Sequence, residues 1–255
     1  MDVLRKKVKR GIPHFIIKLA GAGFLMFVIS SYVLLASGLD MYEFVEGIDN
    51  LLLWIIVFGY GIFCSFFIDL FVSRFSKTGY RMKISLYIVA GYAFFIISSI
   101  NAYTLIAGTV GALCSLIFYF GTYIASCFNS LKYLFSIVIP ITLIILISID
   151  FTEKEQWVEV KNDNTYTATF EYFNGKHEIP IQAKAGQTII LSHEFNNTNG
   201  GGHGFHVKNE KNKLIGMTEV GEKELEFKVQ VAGVYRVVVT GDNVKGNFNV
   251  IWKLN

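Results

Sequence analysis

The chain is poor in charge. Only 17% of its 255 residues are Asp, Glu, Lys or Arg, against 53% apolar, which is the composition of a membrane protein rather than of a soluble one. The shortage is uneven: residues 1–150 hold 11 Lys and Arg and 7 Asp and Glu, whereas residues 151–255 hold 12 and 13, a soluble balance. No nucleic-acid partner is expected, because that would need a basic stripe on the folded domain. Cysteine is scarce as well. Cys64, Cys114 and Cys127 lie in apolar runs and residues 151–255 contain none, which excludes a disulfide framework and Cys-ligated zinc from the polar third. Catalytic signatures are missing: there is no P-loop, G-x-S-x-G elbow, H-E-x-x-H or kinase set. Chemistry inside a bilayer would need a Ser/His or Asp/Asp pair in the apolar runs. Asp69 stands there without a second acid, and His14 is too near the chain's N-terminal edge. An enzyme is not expected, and neither is a cofactor.

Lys and Arg are absent from one place in particular. The segment between the first two apolar runs holds Asp40, Glu43, Glu46 and Asp49 and no basic residue. The basic residues cluster instead before the first run (Arg5, Lys6, Lys7, Lys9, Arg10) and after the second (Arg74, Lys77, Arg81, Lys83), with Lys132 in a later loop. Cytoplasmic loops retain Lys and Arg, so this alternation predicts a cytoplasmic N-terminus.

A helical span needs about 20 apolar residues. Five are expected, over 12–36, 51–72, 84–100, 105–128 and 133–149. The third and fourth are separated at Asn101-Ala102-Tyr103-Thr104, and the fifth, which contains Pro140, follows a turn at Asn129-Ser130-Leu131-Lys132. The first run is longer than the h-region of a cleaved signal peptide, about 7–15 residues, and reads as a retained helix. Five crossings place residues 151–255 outside, in a multi-pass protein of the plasma membrane. Ala107 with Gly111, and Gly108 with Ala112, give small-xxx-small faces for close helix packing and a means of homo-oligomer formation.

The last third alternates apolar and polar residues with the period of strands. In 165–173, Tyr166, Ala168, Phe170 and Tyr172 share one face; in 247–254, Phe248, Val250, Trp252 and Leu254 do. The stretches 178–184 and 224–231 alternate similarly. Asn174-Gly175, Ala185-Gly186, Ala232-Gly233, Gly241-Asp242-Asn243 and Lys245-Gly246 separate these runs with turn chemistry. About eight short strands in about 100 residues predict an all-β antiparallel sandwich domain following the membrane α-helical bundle.

The run from Ala232 to Val250, with Gly233-Val234-Tyr235, Gly241 and Gly246-Asn247-Phe248 at its key positions, resembles the closing hairpin of small secreted β-sandwich domains of the Golgi-dynamics (GOLD) and bacterial pre-peptidase C-terminal types. The resemblance implies a binding or accessory domain without catalysis.

Three groups of residues are candidates for function. The Asn/Gly loop at 196–202 and its flanks offer Asn197, Asn199, His203 and His206 as ligand contacts, since binding residues concentrate on sandwich loops. His193 and His203, with Glu194 nearby, are the candidate metal ligands; imidazole suits Zn, Cu and Ni. His193 keeps register with Leu191 and Phe195, and His203 with Phe205 and Val207, while His206 points to the other side. Lys18 and Asp69 stand at similar depth inside the first two apolar runs, a candidate intramembrane charge pair. The reading is of a bacterial membrane protein that displays an extracytoplasmic β domain binding a ligand or partner protein. The alternatives are a transporter or channel subunit with an accessory β domain, and a membrane effector with a cytoplasmic sensor.

Overall fold

A computed structural model describes residues 2–74, 80–96, 100–221 and 223–255. Lys77 and the last turn of the expected third span fall outside the described residues. The chain divides into two compact units at residue 150.

Among the described residues the first unit has six helices: α1 (Asp2–Ala36), α2 (Met41–Ile48), α3 (Leu51–Arg74), α4 (Tyr80–Ile96), α5 (Ala102–Cys127) and α6 (Asn129–Ile147). Among the described residues four stretches are long and apolar enough to cross a membrane: Pro13–Ala36 of α1, and α3, α5 and α6 whole. The described part of α4, where the third of five spans was expected, has 17 residues. The break expected near residue 101 is there. Asn101 caps α5 by accepting from the Thr104 amide at 2.9 Å, while Thr104 Oγ1 accepts from the Asn101 amide at 2.9 Å, a reciprocal capping box.

Two local expectations are corrected. The acidic segment between the first two spans is not simply a loop. Asp40 caps α2 through the Glu43 amide, and α2 buries Phe44 and Ile48 while leaving Glu43 and Glu46 exposed. Residues 129–132 are not a turn but the first turn of α6; Phe128, extended, makes the joint alone. A wider helical turn over Leu134–Val138 precedes Pro140. It supplies slack in the backbone ladder ahead of a residue that cannot donate to it.

Small residues set the packing of the bundle. A Cβ at Gly23 would lie 1.7 Å from the Phe135 carbonyl oxygen, so only glycine lets α1 and α6 approach this closely. Gly91 of α4 meets Gly111 of α5 backbone to backbone, and Gly108 lies under the Tyr92 ring. The small-residue face expected to join two copies of the chain is thus covered within one copy.

The second unit is a nine-stranded antiparallel sheet among the described residues: β1 (Glu153–Glu155), β2 (Val158–Lys161), β3 (Thr165–Ala183), β4 (Thr188–Asn197), β5 (Gly202–Lys208), β6 (Leu214–Ile215), β7 (Thr218–Gly221), β8 (Glu224–Lys228) and β9 (Gly233–Leu254). The expectation of about eight short strands fails at β3 and β9, which have 19 and 22 residues. Asn174-Gly175 is no hairpin turn; it ends a pair of bulges in β3, between Phe170 and Gly175. Residues 241–246 likewise bend β9 without reversing it, so the run that suggested a closing hairpin is one strand. Both halves of β9 pair with β3, the first along 175–183 and the second along 165–170. Gly246 takes φ +146 at this bend, where a Cβ would sit 1.9 Å from the Asn196 carbonyl oxygen. Bulges increase twist and redirect a strand. The sheet therefore folds over one core, to which β3 contributes Tyr166, Phe170, Ile179 and Ile181, and β9 contributes Val237, Val239, Phe248 and Trp252.

Candidate functional site

The site begins where the sheet stops being hydrogen-bonded. β4 pairs with β9 and β8, and β5 with β9 and β6; β4 and β5 follow one another in sequence but share no ladder. Rings bridge the seam instead. His193 stacks on Phe205 with centroids 4.3 Å apart, and Phe195 on His203 at 4.2 Å. Alternation explains the arrangement, because residues two apart on a strand share a face. Behind the rings opens a cleft of about 300 Å³ floored by Leu225, Val239, Phe248 and Val250.

His193 is one of the polar residues that line this cleft. Its Nδ1 is buried and has no hydrogen-bond partner. Burial holds the imidazole below its ordinary range, with His203 and Lys223 adding to the effect, so at neutral pH the ring is uncharged and presents one nitrogen inward. A buried ring nitrogen left unpaired is costly.

The loop beside the cleft is knit to itself. Asn197 Oδ1 accepts from the amides of Asn199 at 3.1 Å and Gly200 at 2.8 Å, and its Nδ2 donates to the Gly201 carbonyl. Asn199 Oδ1 accepts from the Lys245 amide at 3.0 Å, and its Nδ2 donates to the Asn243 carbonyl at 2.7 Å. These bonds tie the loop to the bend of β9. The expected ligand contacts Asn197 and Asn199 therefore have their side-chain amides engaged in fixing the cleft's rim, which is the usual use of Asn in turns. Of the expected imidazoles, His193 and His203 line the cleft. His206 does not; it stands opposite Val238, on the other face of β5 from His203 and Phe205. Among the described residues no three His, Cys, Asp or Glu side chains come together as a metal set.

In the helical unit Lys18 Nζ lies 2.5 Å from Asp69 Oδ2. Sequence reasoning missed the other members of this cluster. Lys83 Nζ reaches Asp69 Oδ1 at 2.6 Å, and His14 Nε2 stands 3.3 Å from Oδ2. Their positions near helix ends had suggested only loop chemistry.

No family model matches the chain. No curated protein matches it either. Among solved structures, the crystal structure of Aeromonas hydrophila PliG, a periplasmic lysozyme inhibitor of g-type lysozyme, is similar over 41% of this chain and 93% of its own, with 18% identity and a TM-score of 0.24.

A second polar cluster of the β unit also escaped sequence reasoning. Residues 153–161 close one end of the core, and Trp157 inserts against Phe170 and Phe173, each at 5.2 Å. Lys154 Nζ sits 4.4 Å over the Trp157 ring and donates to His177 Nδ1 at 2.8 Å. Glu159 accepts from Trp157 Nε1 at 2.8 Å and from the Tyr166 hydroxyl. The signal available was a tryptophan alone in the polar stretch Glu153-Lys154-Glu155-Gln156-Trp157.

Burial, with the Lys154 ammonium beside it, pushes His177 down to about 4. The unfolded chain takes up this proton near pH 6.5, the folded one only near 4. Between these values unfolding binds a proton, so stability falls as pH drops through the window and is complete above it. The expected loss is about 2 kcal/mol once solvent screening is allowed for. Glu159 is held below the carboxylate range by its bonds from Tyr166 and Trp157 and acts only at lower pH; the Glu178 charge also acts on the ring, in the opposite direction to Lys154. Thermal melts from pH 7 to pH 4 should show the decline, and His177→Gln should flatten most of it, leaving the share of His193. An unchanged slope in the variant would assign the pH dependence elsewhere.

Proposed function

We propose that this is a multi-pass plasma-membrane protein whose helices cross the bilayer five times, with α4 as the third crossing, leaving the N-terminus in the cytoplasm and holding the β unit outside as a non-catalytic binding domain. The observation that carries the reading is the cleft between β4 and β5, a preformed recess with ring walls, an apolar floor and an unmatched buried imidazole nitrogen. Its volume of about 300 Å³ is at the lower limit for small-molecule pockets and suits one protruding side chain of a partner protein. An aromatic or branched apolar residue would fill the floor and lie against the rings of His193 and Phe205. The sign alternation of the loops supports the orientation.

The test has two arms. Protease added to intact cells should remove residues 151–255 and spare the helices. A photo-crosslinking amino acid in place of Glu194, at the exposed rim, should capture a discrete partner that is lost when Phe205→Ala opens the ring wall. Protection of the β unit in intact cells would refute the orientation. Capture unaffected by Phe205→Ala would refute the cleft.

A further inference from the structure

We propose that His14, Lys18, Asp69 and Lys83 form a binding site for the phosphate of an anionic phospholipid. The argument starts from charge. Lys18 Nζ at 2.5 Å and Lys83 Nζ at 2.6 Å share the Asp69 carboxylate, and among the described residues no second carboxylate pairs with either. One positive charge is left uncancelled. Lys18, 3% exposed, is neutralised by Asp69, so the surplus falls on Lys83, 27% exposed at the bundle surface, where an anion can neutralise it.

The cluster reaches the bundle surface through Lys83, 27% exposed, and His14, 48% exposed. An ammonium has three N–H donors, so Lys83 keeps donors for phosphate oxygens while bonded to Asp69 Oδ1; Lys18 remains on Oδ2 behind it.

Depth and surroundings select a lipid over a free anion. Asp69 lies five residues before the end of α3 at Arg74, and Lys83 three after the start of α4 at Tyr80. At 1.5 Å per residue this is about 4.5–7.5 Å from the helix ends, and one headgroup layer is about 5–7 Å thick. Tyr80 is 67% exposed, and the Tyr119 ring lies 5.6 Å from Lys83 Nζ; Tyr favours that interfacial level. Apolar surface starts beside the imidazole. His14 meets the edge of Phe66 at 5.6 Å, and Phe66 stacks with Phe15 at 6.2 Å, with Phe15 and Phe67 exposed on the flank. A phosphate with acyl chains fits a cationic recess bordered by rings; inorganic phosphate uses only the recess.

The full chain in neutral detergent is titrated with phosphatidylglycerol, phosphatidylcholine or inorganic phosphate, and binding is read by native mass spectrometry and by thermal shift. Phosphatidylglycerol should bind more tightly than phosphatidylcholine. Lys83→Gln should weaken it about fivefold, His14→Gln should weaken it measurably, and Lys83→Arg, which keeps the charge, should retain it. Equal affinity for the two lipids, or wild-type affinity in both Gln variants, would overturn the site. Inorganic phosphate binding as tightly as phosphatidylglycerol would overturn the lipid as its ligand.

Discussion

Asp69→Asn is expected to cost the helical bundle about 3–5 kcal/mol. The side chain keeps its shape but loses the charge that two ammonium groups share. Lys83 and His14 have surface access and can turn towards headgroups or water. Lys18, 3% exposed, cannot, so the penalty falls on it. This assigns the loss to one partner and makes it testable by a double variant. Lys18→Met removes the stranded charge, and Asp69→Asn with Lys18→Met should recover most of the stability lost by Asp69→Asn alone, because an apolar replacement of a buried pair is often neutral. The measurement is the fraction of monodisperse protein surviving a temperature series in detergent. Additive losses in the double variant would show that Asp69 acts through something other than Lys18.

Phe248→Ala should be the most damaging single truncation in the β unit. The ring is 1% exposed and lies within 6.4 Å, centroid to centroid, of Trp157, Tyr166, Phe170, His177 and Phe195. It joins the segment carrying Trp157, both longest strands and the floor of the cleft. Removing such a ring costs about 3–5 kcal/mol in a domain whose whole stability is about 5–15 kcal/mol, which lowers the melting temperature by roughly 12 °C or more. Val158→Thr, on a strand with every residue exposed, should shift it little. Near-ultraviolet circular dichroism would follow both. A melting temperature for Phe248→Ala within a few degrees of wild type would mean that the core closes around the cavity and that the ring is no hub.

The sequence was most legible where chemistry leaves few choices. Two charges inside apolar runs needed partners, and Lys18 and Asp69 were at the right depth for each other. Asn101 marked a helix start because its side chain competes for backbone amides. The inward faces of the strands followed from alternation except where bulges or strand ends broke it, so that Phe173 rather than Tyr172 enters the core and Leu254 is exposed; alternation also placed His193 beside Phe195 and His203 beside Phe205. The rest depended on tertiary context. Gly175, Gly241 and Gly246 carry turn chemistry, but whether a glycine reverses a strand or bends it depends on what the strand pairs with afterwards, and β3 and β9 pair with each other through both bends. Alternation likewise assigned rings to a face without revealing that β4 and β5 share no ladder, which is what opens the cleft. The segment from Asp40 to Asp49 looked like a loop because the eight residues of Met41–Ile48 are too few to show a helical period. Lys83 looked like a loop charge, and His14 like a residue too near the chain's edge to matter, until the helices brought them to Asp69.

β9 is bonded to β3, β4 and β5 and supplies residues to every part of the core. It also follows the other eight described strands in the chain. While the ribosome is still adding residues 233–254, the strands already synthesised have no centre on which to assemble. The domain therefore closes only once β9 has been made, and its long-range pairings make that closure slow. During this interval the unpaired edges of β3 and β4 stand open to other chains.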